Sequence, residues 1–360
     1  MTQGHRIVLT FRDEFKARDA VDSLLQELTT SGHSQAEALK RVSWVKMDLL
    51  SFASVKAASA ELRRNYEDID TVLLNAGIQP STSSFQFSED GWETTYQANH
   101  LSHFLLTHLL IPSLLSSKAC GGARIVVVSS ELHTELGLGS IEPPPNYFHS
   151  LTAGRAPDTT ISYYSKDQAP PEETTVALSP IQIYSLTKLY NLWFTFKLSA
   201  MCREAGLPIT VDAVTPGFVP TSNLAKAGLS MDERQKWDMT MASHPYATPL
   251  SVGAQRVADV VAGPGAFLPR QALCSQSGLS DSVEMASEEE AGKPHNYGAN
   301  SILGGADDKE DVVFGTGRYF SNGKPLSSSA ASRDLRKQDA LWDLSMEATG
   351  LSGVSYLPLL

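Results

Sequence analysis

Short apolar runs alternate with longer segments of helical period through the first part of the chain. Residues 5–10 (HRIVLT) form a β-branched run of strand length. Behind it Phe15, Ala20, Val21, Leu24, Leu25 and Leu28 recur on one face of a helical pattern that fades at Thr30-Ser31-Gly32. Val42–Lys46 predicts a second strand, followed by Met47-Asp48-Leu49. Residues 54–66 predict an amphipathic helix through Val55, Ala58 and Leu62. Thr71–Leu74 predicts a third strand that runs into Asn75-Ala76-Gly77. Alternation of this kind predicts a parallel sheet covered by helices, an α/β fold.

The middle of the chain is more apolar. Residues 91–116 predict one long helix with Asn99 at its centre, among Leu101, Phe104, Leu105 and Leu109. An amide on so apolar a helix needs hydrogen-bond partners. Residues 124–128 (RIVVV) are the most strand-like run and end in Ser129-Ser130. Catalytic groups in open α/β sheets gather at the carboxyl ends of strands, although serine also terminates strands simply as a turn former. Pro143-Pro144-Pro145, Pro157 and Pro170-Pro171 make 137–180 a loop insertion. A helix over 181–203, a strand at Ile209–Val214 and a helix over 252–262 follow. Residues 222–250, with Met231, Trp237, Met239, Met241 and Tyr246, read as a substrate lid or as packing against the body. Residues 275–311, with Glu288-Glu289-Glu290, predict an acidic, disordered insertion. Order returns at 316–320 and in a helix over 332–349.

Composition narrows the function classes. With 360 residues, 42% hydrophobic and 19% charged, the chain is an ordinary globular protein. A net charge of −11 argues against nucleic acid and against an anionic membrane surface. Three widely spaced cysteines, Cys120, Cys202 and Cys274, form no metal pattern and no disulfide framework. No window has the length and apolarity of a membrane span, and the first residues do not read as a signal peptide, so the cytoplasm is the default compartment.

The candidate chemistry centres on residues 181–191 (IQIYSLTKLYN), where Tyr184 and Lys188 stand four apart on one helical face. Bringing a phenol from its usual pKa of about 10 to near 7 takes roughly 4 kcal/mol in favour of the phenolate. A close ammonium can supply part of this. Alone, the Y-x-x-x-K spacing is a weak signal.

Taken in order, Asn75-Ala76-Gly77 after a strand, Asn99 in the long helix, Ser130 after a strand, Tyr184-x-x-x-Lys188 and Pro216-Gly217 after a later strand resemble the short-chain dehydrogenase/reductase family. The resemblance covers most of residues 5–265. The tail, with GRYF at 317–320 and LWDLS at 341–345, is similar to the retinol-dehydrogenase-like branch, which includes many fungal reductases of specialised metabolism. The resemblance implies one Rossmann-like, doubly wound domain over 1–360. It also implies transfer of hydride between NAD(P)(H) and an alcohol or a ketone. Tyr184 would then be the proton donor or acceptor, and Lys188 would lower its pKa and bind the nicotinamide ribose. Ser130 would orient the substrate oxygen, and Asn99 would hold a water relaying protons from Lys188. Asn75 would support the adenosine ribose, Asp48 the adenine, and Val219 and Thr221 the carboxamide and phosphates. Arg12, just past the first strand, suits a 2′-phosphate and hence NADP, with Asp13 beside it as the opposing signal. The resemblance further implies homo-oligomers through the helices bearing Asn99 and Tyr184. The apolar segment at 222–246 implies a lipophilic small-molecule substrate.

One departure matters. The family opens with a strand and a T-G-x-x-x-G-x-G turn, but Gly4 is the sole glycine before Gly32 here. Those glycines let the backbone approach the pyrophosphate. The absent strand is central in the family's sheet, beside the strand ending at Leu74, so its loss predicts two unpaired strand edges inside the fold. Three expectations follow: a shortened copy of an active reductase, a complete protein that binds cofactor poorly, or a catalytically silent binding protein whose acidic insertion serves a partner. A serine hydrolase built on Ser130 fares badly. It lacks the G-x-S-x-G elbow, and His133 lies three residues away without a placed acid.

Overall fold

The computed structural model describes residues 5–80, 85–119, 121–139, 144–150, 178–226, 229–241, 243–263 and 316–353. Strand β1 (Ile7–Phe11) leads to α1 (Glu14–Thr30), whose first turn is capped by the Asp13 carboxylate accepting from Lys16 N–H at 2.9 Å. A short α2 (Gln35–Arg41), which the apolar pattern did not announce, begins with a reciprocal capping box between Ser34 and Glu37. β2 (Val42–Lys46) follows, then α3 (Phe52–Asn65) capped by Ser51, then β3 (Thr71–Leu74).

The long helix expected over 91–116 is not continuous. It comprises α4 (Thr94–Tyr96), a π-helical turn over Gln97–Leu101 that contains Asn99, and α5 (Ser102–Leu115). Such single-turn expansions gather at functional sites. β4 (Ala123–Val128), a 3₁₀ turn at Glu131–His133 and the short α6 (Glu135–Leu138) come next. α7 (Pro180–Glu204) starts with proline in its first turn and a Ser179–Gln182 capping box, which sets the position of Tyr184 one turn later. β5 (Ile209–Val214), α8 (Met231–Met241) and α9 (Leu250–Ala262) complete the central part. β6 (Tyr319–Ser321) and β7 (Lys324–Leu326) form a hairpin around Asn322-Gly323, both at positive φ (53° and 76°), as a tight hairpin turn requires. α10 (Leu335–Ala348) ends the described chain. Most of 137–180 and all of 275–311 lie outside the described residues. Within 222–250, α8 has no buried residue.

The strands form two sheets, β1-β2 and β3-β4-β5-β6-β7, and all neighbours are parallel except β6-β7. Val42 packs with α1 and α2, whereas Val45 and Met47 pack with α3 on the opposite face. Since crossovers are right-handed, helices on opposite faces carry the chain in opposite directions, which puts β3 on the β1 side of β2. β1 and β3 therefore meet across a position that no described strand occupies. The consequence is visible at Leu73, which is 42% exposed, while its register partner Val126 on β4 is fully buried. The fold is Rossmann-like α/β, interrupted at the position the sequence predicts. α3, α5 and α7 share one large core against the sheet, and α9 covers Val126, Val128 and Val214 on the other side.

Candidate active site

The carboxyl end of β4 receives one face of α7. Lys188 Nζ donates to the Val128 carbonyl at 2.9 Å, and Ser129 Oγ donates to the Lys188 carbonyl at 2.9 Å. Strand end and helix are thus stitched in both directions. Tyr184, one turn earlier, is 5% exposed, and the Lys188 ammonium lies 5.5 Å from its ring centroid. The Ser130 hydroxyl stands near enough to the Tyr184 phenol to favour its ionised form. Ser130 Oγ accepts from Leu132 N–H at 3.2 Å, which leaves its single hydroxyl proton free to donate.

Asn99 has its partners. Its Oδ1 accepts from Ile78 N–H at 2.7 Å, and its Nδ2 donates to the Ile78 carbonyl at 2.9 Å and to Thr187 Oγ1 at 3.0 Å. Thr187 in turn donates to the Tyr184 carbonyl at 2.7 Å. Gly77 lies close against this group: a Cβ there would stand 3.1 Å from Asn99 Oδ1, so the amide would have to shift by a few tenths of an ångström. Asn99, Lys188, Tyr184 and Ser130 therefore come together, drawn from the π turn, α7 and the end of β4.

Electrostatics divide the roles. Burial raises the Tyr184 phenol above its ordinary value, with Ser130 opposing, so the expected lowering of this phenol is not achieved by the chain alone. Burial lowers Lys188 to about 8, which leaves it mainly charged at neutral pH. The fully buried His100 and His103 are both lowered to about 3 by burial, and the Lys188 charge adds to the effect at His103.

The residues expected to hold the rest of a dinucleotide follow the carboxyl ends of strands β1, β2, β3 and β5. Arg12 and Asn75 stand exposed past the ends of β1 and β3. Asp48 Oδ1 accepts from Leu50 N–H at 2.9 Å, closing a turn after β2. The Val219 carbonyl accepts from Ser222 N–H at 3.1 Å, and Thr221 is exposed. Among the described residues no hydrogen bond or ion pair links these five to Tyr184 or Lys188. The donor set fits the nicotinamide–ribose end of a cofactor: a buried ammonium has three hydrogens, and Val128 takes one. Sequence reasoning missed Thr187, which positions Asn99, and named Ser129 only as the neighbour of Ser130, not as the hydroxyl that holds α7. The S-L-T-K spelling offered a signal for the first, and only the fold reveals the second.

The family model described as short chain dehydrogenase matches residues 1–138. Retinol dehydrogenase 14 of Mus musculus is 33% identical over 220 residues, covering 61% of this chain and 55% of that protein. The chloroplastic short-chain dehydrogenase TIC 32 A of Brassica napus is 29% identical, covering 64% and 61%. A short chain dehydrogenase/reductase of Colletotrichum higginsianum is 26% identical, covering 62% and 50%. The chain thus spans between half and three fifths of the length of these curated relatives. Among solved structures, a short chain dehydrogenase from Shigella flexneri complexed with NADP has a TM-score of 0.41 at 20% identity, covering 64% of this chain and 74% of its own. With Ser130, Tyr184, Lys188 and Asn99 brought together, the chain is similar to the short-chain dehydrogenase/reductase family and, among its curated relatives, to retinol dehydrogenases.

Proposed function

We propose that the chain is a nicotinamide-dependent carbonyl reductase that works on a lipophilic ketone or aldehyde and prefers NADP(H). The reading is carried by the convergence of Ser130, Tyr184 and Lys188 at the carboxyl end of β4. When bound, the nicotinamide ring supplies the hydride. Tyr184, held protonated by burial, donates the proton to the oxygen that the hydride transfer leaves negative. Ser130 donates its free hydroxyl hydrogen to the same oxygen and stabilises the charge developing there. Lys188 holds the ribose and, with Asn99, resupplies the proton. Asp13 is engaged as the cap of α1, so the exposed Arg12 stands as the cation for a 2′-phosphate. The exposed Met231, Met239 and Tyr246 support a lipophilic substrate under the 222–250 segment. The test is ketone-dependent NADPH consumption. Tyr184→Phe should lower kcat by about 10²–10⁴-fold with little change in NADPH affinity. An unchanged rate would end the proposal.

A second reading, a silent scaffold that binds a partner, draws support from the position between β1 and β3 that no described strand occupies. NADPH fluorescence separates the two. Saturable binding in the micromolar range supports the reductase, and no saturation up to millimolar supports the scaffold.

A further inference from the structure

His133, the residue that counted against a hydrolase, is 1% exposed and makes two hydrogen bonds that specify its state. Its Nδ1 lies 2.6 Å from the Ser130 carbonyl, which can only accept. Its Nε2 lies 3.2 Å from the Ser329 N–H, which can only donate. The ring must therefore be neutral with its proton on Nδ1. Its edge also meets Tyr319 of β6 at 5.1 Å between centroids. Beside it Glu131 Oε1 accepts from Ser321 Oγ at 2.9 Å, so the turn that begins at Ser130 is held from the C-terminal segment at two points. Ser329 immediately precedes the 3₁₀ turn Ala330–Arg333 that leads into α10.

We propose that His133 is a positioning residue for Ser130: bridging the Ser130 carbonyl and the Ser329 amide, it lets the serine hydroxyl meet the reacting oxygen only while the segment entering α10 is seated. The catalytic serine is then coupled to residues almost two hundred positions downstream. Ser329 has φ −60°, so Ser329→Pro removes the donated N–H without backbone strain.

The inference rests on the reductase reading, and a double-mutant cycle tests it. His133→Phe, which keeps the ring volume, should lower kcat for ketone reduction about 100-fold and leave KM for NADPH within about 2-fold. His133→Asn, whose amide can still donate to the Ser130 carbonyl, should recover at least 10-fold of that loss. In the Ser130→Ala background His133→Phe should cost less than about 3-fold more, because a residue acting through Ser130 has nothing left to position. Losses that multiply would overturn the inference, and so would a Ser329→Pro variant with unchanged kcat. If the unaltered chain turns over no ketone, the reductase reading falls, and the ¹⁵N spectrum of the His133 ring then decides the inference alone. A protonated Nδ1 and bare Nε2 at pH 7 that disappear in Ser329→Pro support it. A ring protonated on Nε2 overturns it.

Discussion

Lys188 is 3% exposed, and its Nζ meets the Val128 carbonyl. Burial lowers it from 10.5 to about 8. With a folded pKa below the unfolded one, the unfolded chain binds more protons between pH 8 and 10.5, so stability rises with pH across that window. Below pH 8 the buried charge is a constant burden of about 3 kcal/mol before its hydrogen bond is counted. Lys188→Met should therefore stabilise the fold at pH 7 by about 1–2 kcal/mol, an advantage that shrinks by pH 10, while abolishing turnover. Urea unfolding at the two pH values measures this. The place of Lys188 beside Tyr184 was legible because a motif spells it. Thr187 and Ser129 were not, since their task is to hold Asn99 and the α7 backbone. A hydroxyl that serves a carbonyl across the fold leaves no periodicity in the sequence.

Element by element, the strands were the most legible. Val42–Lys46, Thr71–Leu74 and Ile209–Val214 have the bounds that their β-branched runs predict. The break at Gln97–Leu101 was not legible, because a π turn keeps the apolar composition of the helix around it and differs only in its hydrogen bonds. The same segment carries a cluster of buried imidazoles. His100 and His103 are lowered to about 3 and His108 to about 4, burial being the main cause in each. Each is neutral in the folded chain where the unfolded chain protonates. Their contribution is present above pH 6.5 and is lost as pH falls toward 4. His108 packs against Phe104 at 4.2 Å and Trp342 at 5.2 Å, a site that accepts an aliphatic side chain. His108→Leu should reduce the slope of stability against pH between 6 and 4.5 by about 1.4 kcal/mol per pH unit, one proton fewer taken up on unfolding. A slope equal to that of the unaltered chain would mean that this ring titrates normally.

At the scale of the molecule, α5 and α7 are buried on nearly every side, and α10 lies over them through Trp342 against Phe104 and Phe194. A homo-oligomer through these helices would have to displace α10, so sedimentation should detect self-association through them only after removal of residues 335–348. The larger consequence comes from the two sheets. β4 and β5 are paired on both sides and buried along their length, while among the described residues β1 pairs only with β2 and β3 only with β4. β1 and β2 are joined to the rest through α3, by the Ser102 Oγ bond to the Leu49 carbonyl at 2.6 Å and by Val45 and Met47 in the common core. A two-stranded layer whose β1 lacks a second described neighbour opens at a lower free energy than the central strands. Native-state hydrogen exchange should show the amides of 7–11 and 42–46 exchanging about a hundredfold or more faster than those of 125–128 and 211–214. Equal protection in both sets would mean that the two sheets unfold as one unit, and that the position between β1 and β3 is closed in solution.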